Sequence, residues 1–222
     1  EYFRLLQGGH EGVFSDVLDK PGQAAADERV RLQDEFWSPV IAAKNAIPAE
    51  VQNRWMDVVE GHPFINPNTG QPIRSLKRRD LVGAALHVGN LSNFEKMAKG
   101  YGLISNEADA LAVSAARQGF IGWLNERLDA SEWAYVQAIW DAHERLRPVY
   151  FAAARKVEGF EPDPVEPDVV NTPAGPLKGG YAPIAYHRSY DANAQRREQR
   201  EAADMFGGVL SAGPRPDNGA RS

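Results

Sequence analysis

The five histidines are the first residues to test for chemistry, because histidine can ligate a metal or transfer a proton near neutral pH. They are His10, His62, His87, His143 and His187, and no two stand at the spacing of a metal site. His143 is followed by Glu144, but no second histidine stands four residues later, so the zinc-protease helix motif is absent. His143 shares an apolar stripe with Trp140 and Leu146, which favours a hydrogen-bonded core histidine over a ligand or a base, and His87 has the same interpretation. We therefore expect no metal site and no cofactor.

Other catalytic patterns are also missing from the sequence. Glycan hydrolysis needs two carboxylates about 5–10 Å apart, and no acidic residue stands in a recognisable context of that kind. There is no Gly-x-Ser-x-Gly elbow for a serine nucleophile, and the absence of cysteine excludes disulfides, zinc ribbons, iron–sulfur clusters and thiol nucleophiles. The tryptophans could stack on bases or sugars, but their helical spacing favours core packing. These tryptophans are Trp37, Trp55, Trp123, Trp133 and Trp140. We predict no catalytic residues.

The glycine-rich segment at residues 175–180 (GPLKGG) shares only its composition with a phosphate-binding loop. In that loop the lysine follows the second glycine, and a Ser or Thr opens a helix. Here Lys178 precedes the glycine pair, and Pro183 prevents an immediate helix. We predict a tight turn that needs glycine at positive φ.

Lys77, Arg78 and Arg79 form a basic cluster in the first turn of a predicted helix, where positive charge opposes the helix dipole. The cluster is a candidate contact for phosphate, RNA or an acidic neighbour, including the acidic segment at residues 158–168. A solvated or salt-bridged face is the commoner outcome for such a cluster. Lys178 and Tyr181 are the other two candidate interaction residues.

The composition of the chain is that of a globular protein. Its 222 residues are 43% hydrophobic and 25% charged. A formal net charge of −5 argues against a dedicated nucleic-acid binder, which normally carries a clustered basic patch. No apolar run approaches the roughly 20 residues needed to cross a bilayer, so we expect no membrane-spanning segment.

Apolar residues recur at helical spacing from about residue 23 to residue 158. Pro39 should kink or divide the first helix, whereas Pro148 should bend the longest one without ending it. An apolar stripe through Leu111 predicts another helix between the first helix and the longest one. The helix that follows the basic cluster should end at Gly89-Asn90. The predicted helix starts are Ser75, Ser92 (in a capping box with Glu95), Ser105, and Asp129 or Ser131.

From residue 159 the chain changes character, since alternating acids and prolines at residues 161–168 force an extended path. Turn signals at residues 173–175 and 178–180 then predict a small hairpin.

The fold class is therefore all-α, an irregular multi-helix bundle with a C-terminal Pro/Gly-rich extended arm or small β-hairpin. The predicted organisation is an N-terminal connector (1–22), a helical body (23–158), an arm packed on the body (159–190), and a polar helix with a flexible tail (191–222). The start without Met and the Gly- and Pro-rich end lead us to expect a C-terminal fragment of a larger polypeptide.

Three stretches of the sequence together resemble a known family. They are residues 78–90 (RRDLVGAALHVGN), residues 133–141 (WAYVQAIWD) and residues 165–184, which end in a Gly-Gly-Tyr-x-Pro-Ile arm. Their order and spacing are similar to those of the helical large polyvalent protein-associated domains, which occur in very long proteins of bacteriophages and conjugative elements. The resemblance covers about residues 30–190, and it transfers no catalytic residues.

What the resemblance implies is a non-enzymatic structural or docking domain of a large bacteriophage protein. The expected setting is an internal virion protein that is ejected with the genome into the bacterial host cell, next to a virion RNA polymerase in some relatives. The expected partners are other domains of the same polypeptide or other virion proteins. Two alternatives stay open: an enzyme domain that processes peptidoglycan or nucleic acid, and a nucleic-acid-binding module that uses Lys77, Arg78 and Arg79.

Overall fold

Six α-helices and one two-stranded antiparallel sheet make up the regular structure of the described residues, so the predicted all-α class with a small hairpin is confirmed. The structure, a computed structural model, describes residues 15–66, 69–73, 75–160 and 162–183. The helices are α1 (Lys20–Asn45), α2 (Ala49–Asn53), α3 (Arg78–Leu86), α4 (Leu91–Gly100), α5 (Ala110–Asn125) and α6 (Ala130–Glu158), and the strands are β1 (Val170–Thr172) and β2 (Gly175–Leu177).

Helix α1 begins before residue 23, where the sequence predicted its start, and Pro39 does not divide it. A π-helical turn at Ser15–Asp19 leads directly into it, and Pro21 occupies the first turn, where no intrahelical donor is needed. The helix then continues through Pro39 to Asn45. Part of the predicted connector (residues 15–22) is therefore helical, and residues 1–14 lie outside the described part.

Three predicted helix starts are displaced because other side chains reach the free backbone N–H groups. The helix assigned to Ser75 begins at Arg78, where the Asp80 carboxylate accepts from the Lys77 N–H at 2.8 Å. The capping box at Ser92 does not form, since Asn90 caps α4 through the Asn93 N–H at 2.8 Å. The helix assigned to Ser105 starts after Asp109 instead, whose carboxylate accepts from the Ala112 N–H at 2.8 Å. The predicted stop at Gly89-Asn90 and the predicted start of α6 at Asp129 are confirmed.

The core lies where α3, α4 and α5 meet the first half of α6. Trp133, Val136 and Trp140 recur every three or four residues on α6 and are all but fully buried, as their spacing predicts. They pack in one cluster with side chains from the other helices. Among these are Leu81 of α3, Phe94 of α4, and Phe120 and Leu124 of α5. Leu111, which the sequence placed on the apolar stripe of α5, is instead 79% exposed.

The C-terminal arm takes the extended path that its prolines predict. Residues 162–169 have no regular structure, and β1 then pairs with β2 so that Val170 faces Leu177. The hairpin turn lies at residues 173–174, and residues 175–177 of the predicted turn segment form β2 instead. Gly175 and Gly179 both have the positive φ that the prediction required. The described residues to Ala182 belong to one compact unit, and a second unit begins at Pro183. The predicted polar helix and tail at residues 191–222 lie outside the described part.

Candidate interaction site

The turn between α3 and α4 is enclosed by two passes of the arm. The Gly89 carbonyl accepts from the Asp168 N–H at 2.9 Å and from the Gly180 N–H at 3.0 Å. The Asn90 side-chain amide donates to the Gly180 carbonyl at 3.0 Å. We call this arrangement the clamp: Gly89, Asn90 and Arg117 of the body with residues 168–182 of the arm.

Arg117 of α5 is the buried cation of the clamp, with only 5% of its surface exposed. Its Nε–H donates to the Val88 carbonyl at 2.8 Å, and its Nη2 donates to the carbonyls of Asp168 at 3.4 Å and Val169 at 3.3 Å. Burial lowers the pKa of the guanidinium, and the negative charge of Asp168 opposes that shift. The planar fork of donors lets one side chain join the α3–α4 turn to the arm.

Two further polar groups hold the arm against the start of α4. The Asp168 carboxylate accepts from the Leu91 N–H at 2.6 Å, a favourable place for negative charge at a helix N-terminus. The buried Asn93 amide donates to the Ala182 carbonyl at 2.6 Å. These polar groups hold the arm because, once they are buried, they cannot hydrogen-bond to water instead.

Sequence reasoning missed Arg117, although its spacing carried a signal. Arg117 stands four residues after Val113 and three before Phe120, so it lies on the buried face of α5. A charged residue is seldom assigned to an apolar stripe, because burial is unfavourable unless the charge is hydrogen-bonded. Its partners are carbonyls far along the chain, which the sequence does not bring together.

The basic cluster predicted at Lys77, Arg78 and Arg79 is not a continuous exposed patch. The Arg78 side chain is only 14% exposed and binds Glu132 at 2.6 Å and Asp129 at 2.9 Å, both at the start of α6. The acidic neighbour is therefore α6 and not the arm. Arg79 remains 56% exposed beside Asp80, and Lys77 is partly buried. The structure thus separates the three side chains into different environments, which weakens the case for a nucleic-acid contact.

A shallow cleft of about 250 Å³ lies next to Arg78, but its charges are mixed. Arg54 at its edge pairs with Asp129 at 3.0 Å, and Arg127 lies over the Trp123 ring at 4.4 Å. Acidic residues line the same cleft, so no single ligand charge is favoured. The lining residues are Arg54, Asp57, Val58, Val59, Glu60, Arg78, Leu81 and Arg127.

Lys178 and Tyr181, the candidate interaction residues of the arm, lie beside α6. Lys178 is exposed, and its backbone N–H donates to the Gln137 side chain at 3.1 Å. Tyr181 is 43% exposed, with its ring 6.4 Å from that of His143. His143 also contacts the Phe36 ring of α1 at 5.2 Å, so this histidine packs among aromatic rings.

Burial lowers the pKa of both His143 and His87. Both side chains are partly buried, which agrees with packing against the core, but the predicted hydrogen bond is missing at His87, whose buried Nδ1 has no partner among the described residues. Among the described residues, no group of three or more His, Cys, Asp or Glu side chains is placed to hold a metal ion. Within the same ranges, no helix combines the length and apolar character needed to cross a membrane.

Comparison of the chain with protein-family models, curated proteins and solved structures finds no match in any of the three.

Proposed function

We propose that this chain is a non-enzymatic structural and docking domain of a large bacteriophage protein. The observation that carries the proposal is the clamp, in which buried polar side chains hold the arm. Arg117, Asn90 and Asn93 would be natural binding groups if they faced a cleft. Each instead donates to a carbonyl of the same chain.

The clamp supports a structural role because it makes one unit of two parts that are far apart in sequence. Gly89 and Gly180 are separated by 91 positions but are joined by a hydrogen bond of 3.0 Å. The described part of the arm has too little regular structure to be stable alone, since its two strands are three residues long each. Its rigidity therefore depends on the helical body, as expected of a domain that bears contacts with neighbours.

The phage setting of the proposal comes from the sequence resemblance at residues 78–90, 133–141 and 165–184. In that setting the domain belongs to an internal virion protein that enters the host cell with the genome. Its partners are neighbouring domains of the same polypeptide or other virion proteins.

Limited proteolysis of the purified chain tests the structural role. If the clamp holds, the arm resists cleavage between residues 162 and 183, and replacing Arg117 with Met opens it to the protease. Arg145→Met, an exposed arginine on α6, is the control and leaves the pattern unchanged. Rapid cleavage of the unmodified arm would overturn the proposal.

Turnover assays on peptidoglycan and on nucleic acid test the enzymatic alternative. We expect no turnover by the purified chain on either substrate, with or without added divalent metal. Turnover that is lost on a single Glu→Gln substitution would replace the structural proposal with a catalytic one.

A further inference from the structure

Helix α1 carries apolar side chains that nothing in the described structure covers. It is 26 residues long, yet Val40 is its only buried residue. Val30, Trp37 and Ile41 are 51%, 52% and 51% exposed, and their spacing of seven and four residues places them on one face. Because helices in proteins owe most of their stability to packing of an apolar face, this face is suited to a partner.

The uncovered face contains a stripe at heptad spacing on which three positions are apolar and three are charged. Alternating steps of three and four residues define what we call the seam: Asp27, Val30, Asp34, Trp37, Ile41 and Lys44, all exposed. The opposite side of α1 packs on α6, where the Phe36 ring lies 5.2 Å from that of His143. A 3.5-residue repeat of this kind is the pattern by which one helix packs along another.

We propose that the seam binds a second copy of this chain, with the two α1 helices antiparallel. When the helices cross at the middle of the seam, Val30 faces the partner's Ile41, and Asp27 faces the partner's Lys44. The two-fold symmetry repeats the Asp27–Lys44 pair about 25 Å away along the helix, and the Val30–Ile41 pair about 16 Å away. A parallel pair would instead place Asp27 against the partner's Asp27, which is unfavourable.

Charge complementarity is what favours a second copy over another occupant. Within the described part of the chain, neither Asp27 nor the Lys44 ammonium has an ion-pair partner, so both are available to a neighbour. The ion pairs of Arg31 with Glu28 and Glu35 lie beside the seam and do not use its residues.

The residues at the centre of the antiparallel pair can also interact favourably with each other. They place Asp34 opposite the partner's Trp37, and an indole N–H can donate to a carboxylate. The inference rests on the proposed docking role and names its partner. Since each copy contributes three large apolar side chains, the dimer is a weak one.

Sedimentation velocity over a range of protein concentrations tests the pairing. We expect a concentration-dependent dimer that Trp37→Ala abolishes, whereas Met56→Ala, at the same 52% exposure outside the seam, leaves it unchanged. Asp27→Lys should weaken association about tenfold, because both terminal pairs become repulsive. The double variant Asp27→Lys/Lys44→Asp should restore it. A monomer at every concentration, or no effect of the single reversal, would overturn the proposal.

Crosslinking tests the helix direction, and the absence of cysteine makes the design simple. In the antiparallel pair, a Val30→Cys/Ile41→Cys variant oxidises to a covalent dimer, because the two sites on one helix are about 16 Å apart and cannot bridge each other. Val30→Cys alone should not crosslink. Efficient crosslinking by the single variant indicates a parallel pair and contradicts the proposal. If no dimer forms while the arm stays protease-resistant, only the seam inference fails and the structural role stands.

Discussion

Gly89 has no room for a side chain. A Cβ atom at this position would lie 2.6 Å from both the Gly180 carbonyl oxygen and Cε2 of Trp140. Gly180 belongs to the clamp and Trp140 to the core, so neither can move away without disrupting other contacts. We expect Gly89→Ala to destabilise the fold by about 3 kcal/mol, as overpacking does at a rigid site, measured by urea unfolding.

Gly122 provides the matched control for this substitution. It lies in α5, and a Cβ there would meet nothing within 4 Å. Because alanine is the better helix former, Gly122→Ala should stabilise the fold by about 0.5–1 kcal/mol. Equal effects of the two substitutions would show that the arm does not approach Gly89 closely.

Arg117 stabilises the clamp through hydrogen bonds that no aliphatic side chain can replace. Arg117→Met keeps much of the buried volume but leaves the Val88 carbonyl without its donor. We expect a loss of about 1–3 kcal/mol in the free energy of unfolding. Arg117→Lys should recover little of it, because a single ammonium cannot reproduce the fork. Full recovery by lysine in chemical denaturation would contradict the geometry of the clamp.

At the scale of elements, the start of α3 is joined to the start of α6 by a buried ion pair. Glu132 is fully buried and accepts from Arg78 at 2.6 Å and from the Trp55 indole at 2.9 Å. Removing only the cation leaves an uncompensated buried carboxylate. We therefore expect Arg78→Met to cost about 3–5 kcal/mol, measured by urea unfolding.

The neighbouring arginine is the control for this prediction. Arg79 is 56% exposed, so Arg79→Met should change stability by less than about 0.5 kcal/mol. Adding Glu132→Gln to the Arg78→Met variant should recover part of the loss, because the buried charge is then removed. Similar effects of the two arginine substitutions would contradict the ion-pair argument.

Helix α6 contributes the central side chain of the core. Trp140 is 1% exposed, its indole N–H donates to the Leu86 carbonyl at 3.0 Å, and Gly180 of the arm packs on it. Trp140→Ala should cost about 3–5 kcal/mol and should also release the arm to proteolysis. Leu111→Ala, at a residue 79% exposed, should have almost no effect on either measurement. A small effect at Trp140 would mean that α6 does not form the core.

At the scale of the whole molecule, the two histidines whose pKa is lowered by burial make stability depend on pH. Their ordinary pKa is 6.5, so below that value the unfolded chain binds protons that the folded protein does not. This difference in proton binding is small at pH 7.5, and it destabilises the fold increasingly as the pH falls through 6.5 toward the folded-state pKa values. The free energy of unfolding should therefore decrease between about pH 7.5 and about pH 5.

Urea unfolding at the two pH values checks this prediction. A His87→Gln/His143→Gln variant should lose less stability between them than the unmodified protein. Carboxylates that titrate over the same range contribute equally to both proteins and cancel in the difference. An identical loss in the two proteins would show that neither histidine is desolvated.

The helical fold, the extended arm and its hairpin follow from local rules, and the sequence predicted all three. Apolar residues at spacings of three and four select a helix wherever they occur, which located Trp133, Val136 and Trp140 correctly. Prolines at residues 162–167 exclude a helix through their own ring geometry. Each of these effects acts within a few residues, so the amino-acid sequence alone is sufficient to predict the helices and the extended arm.

The tertiary structure alone decided the roles of Arg117, Asn90 and Arg78. Each depends on partners about 30 to 90 positions away, and the favourable energy of these bonds arises only when folding removes water from both groups. Asn90 and Asp109 cap helices whose starts the sequence assigned to Ser92 and Ser105, and Leu111 is exposed because no element of the described residues covers it. Local sequence determines which elements form, whereas which faces are buried depends on how those elements meet.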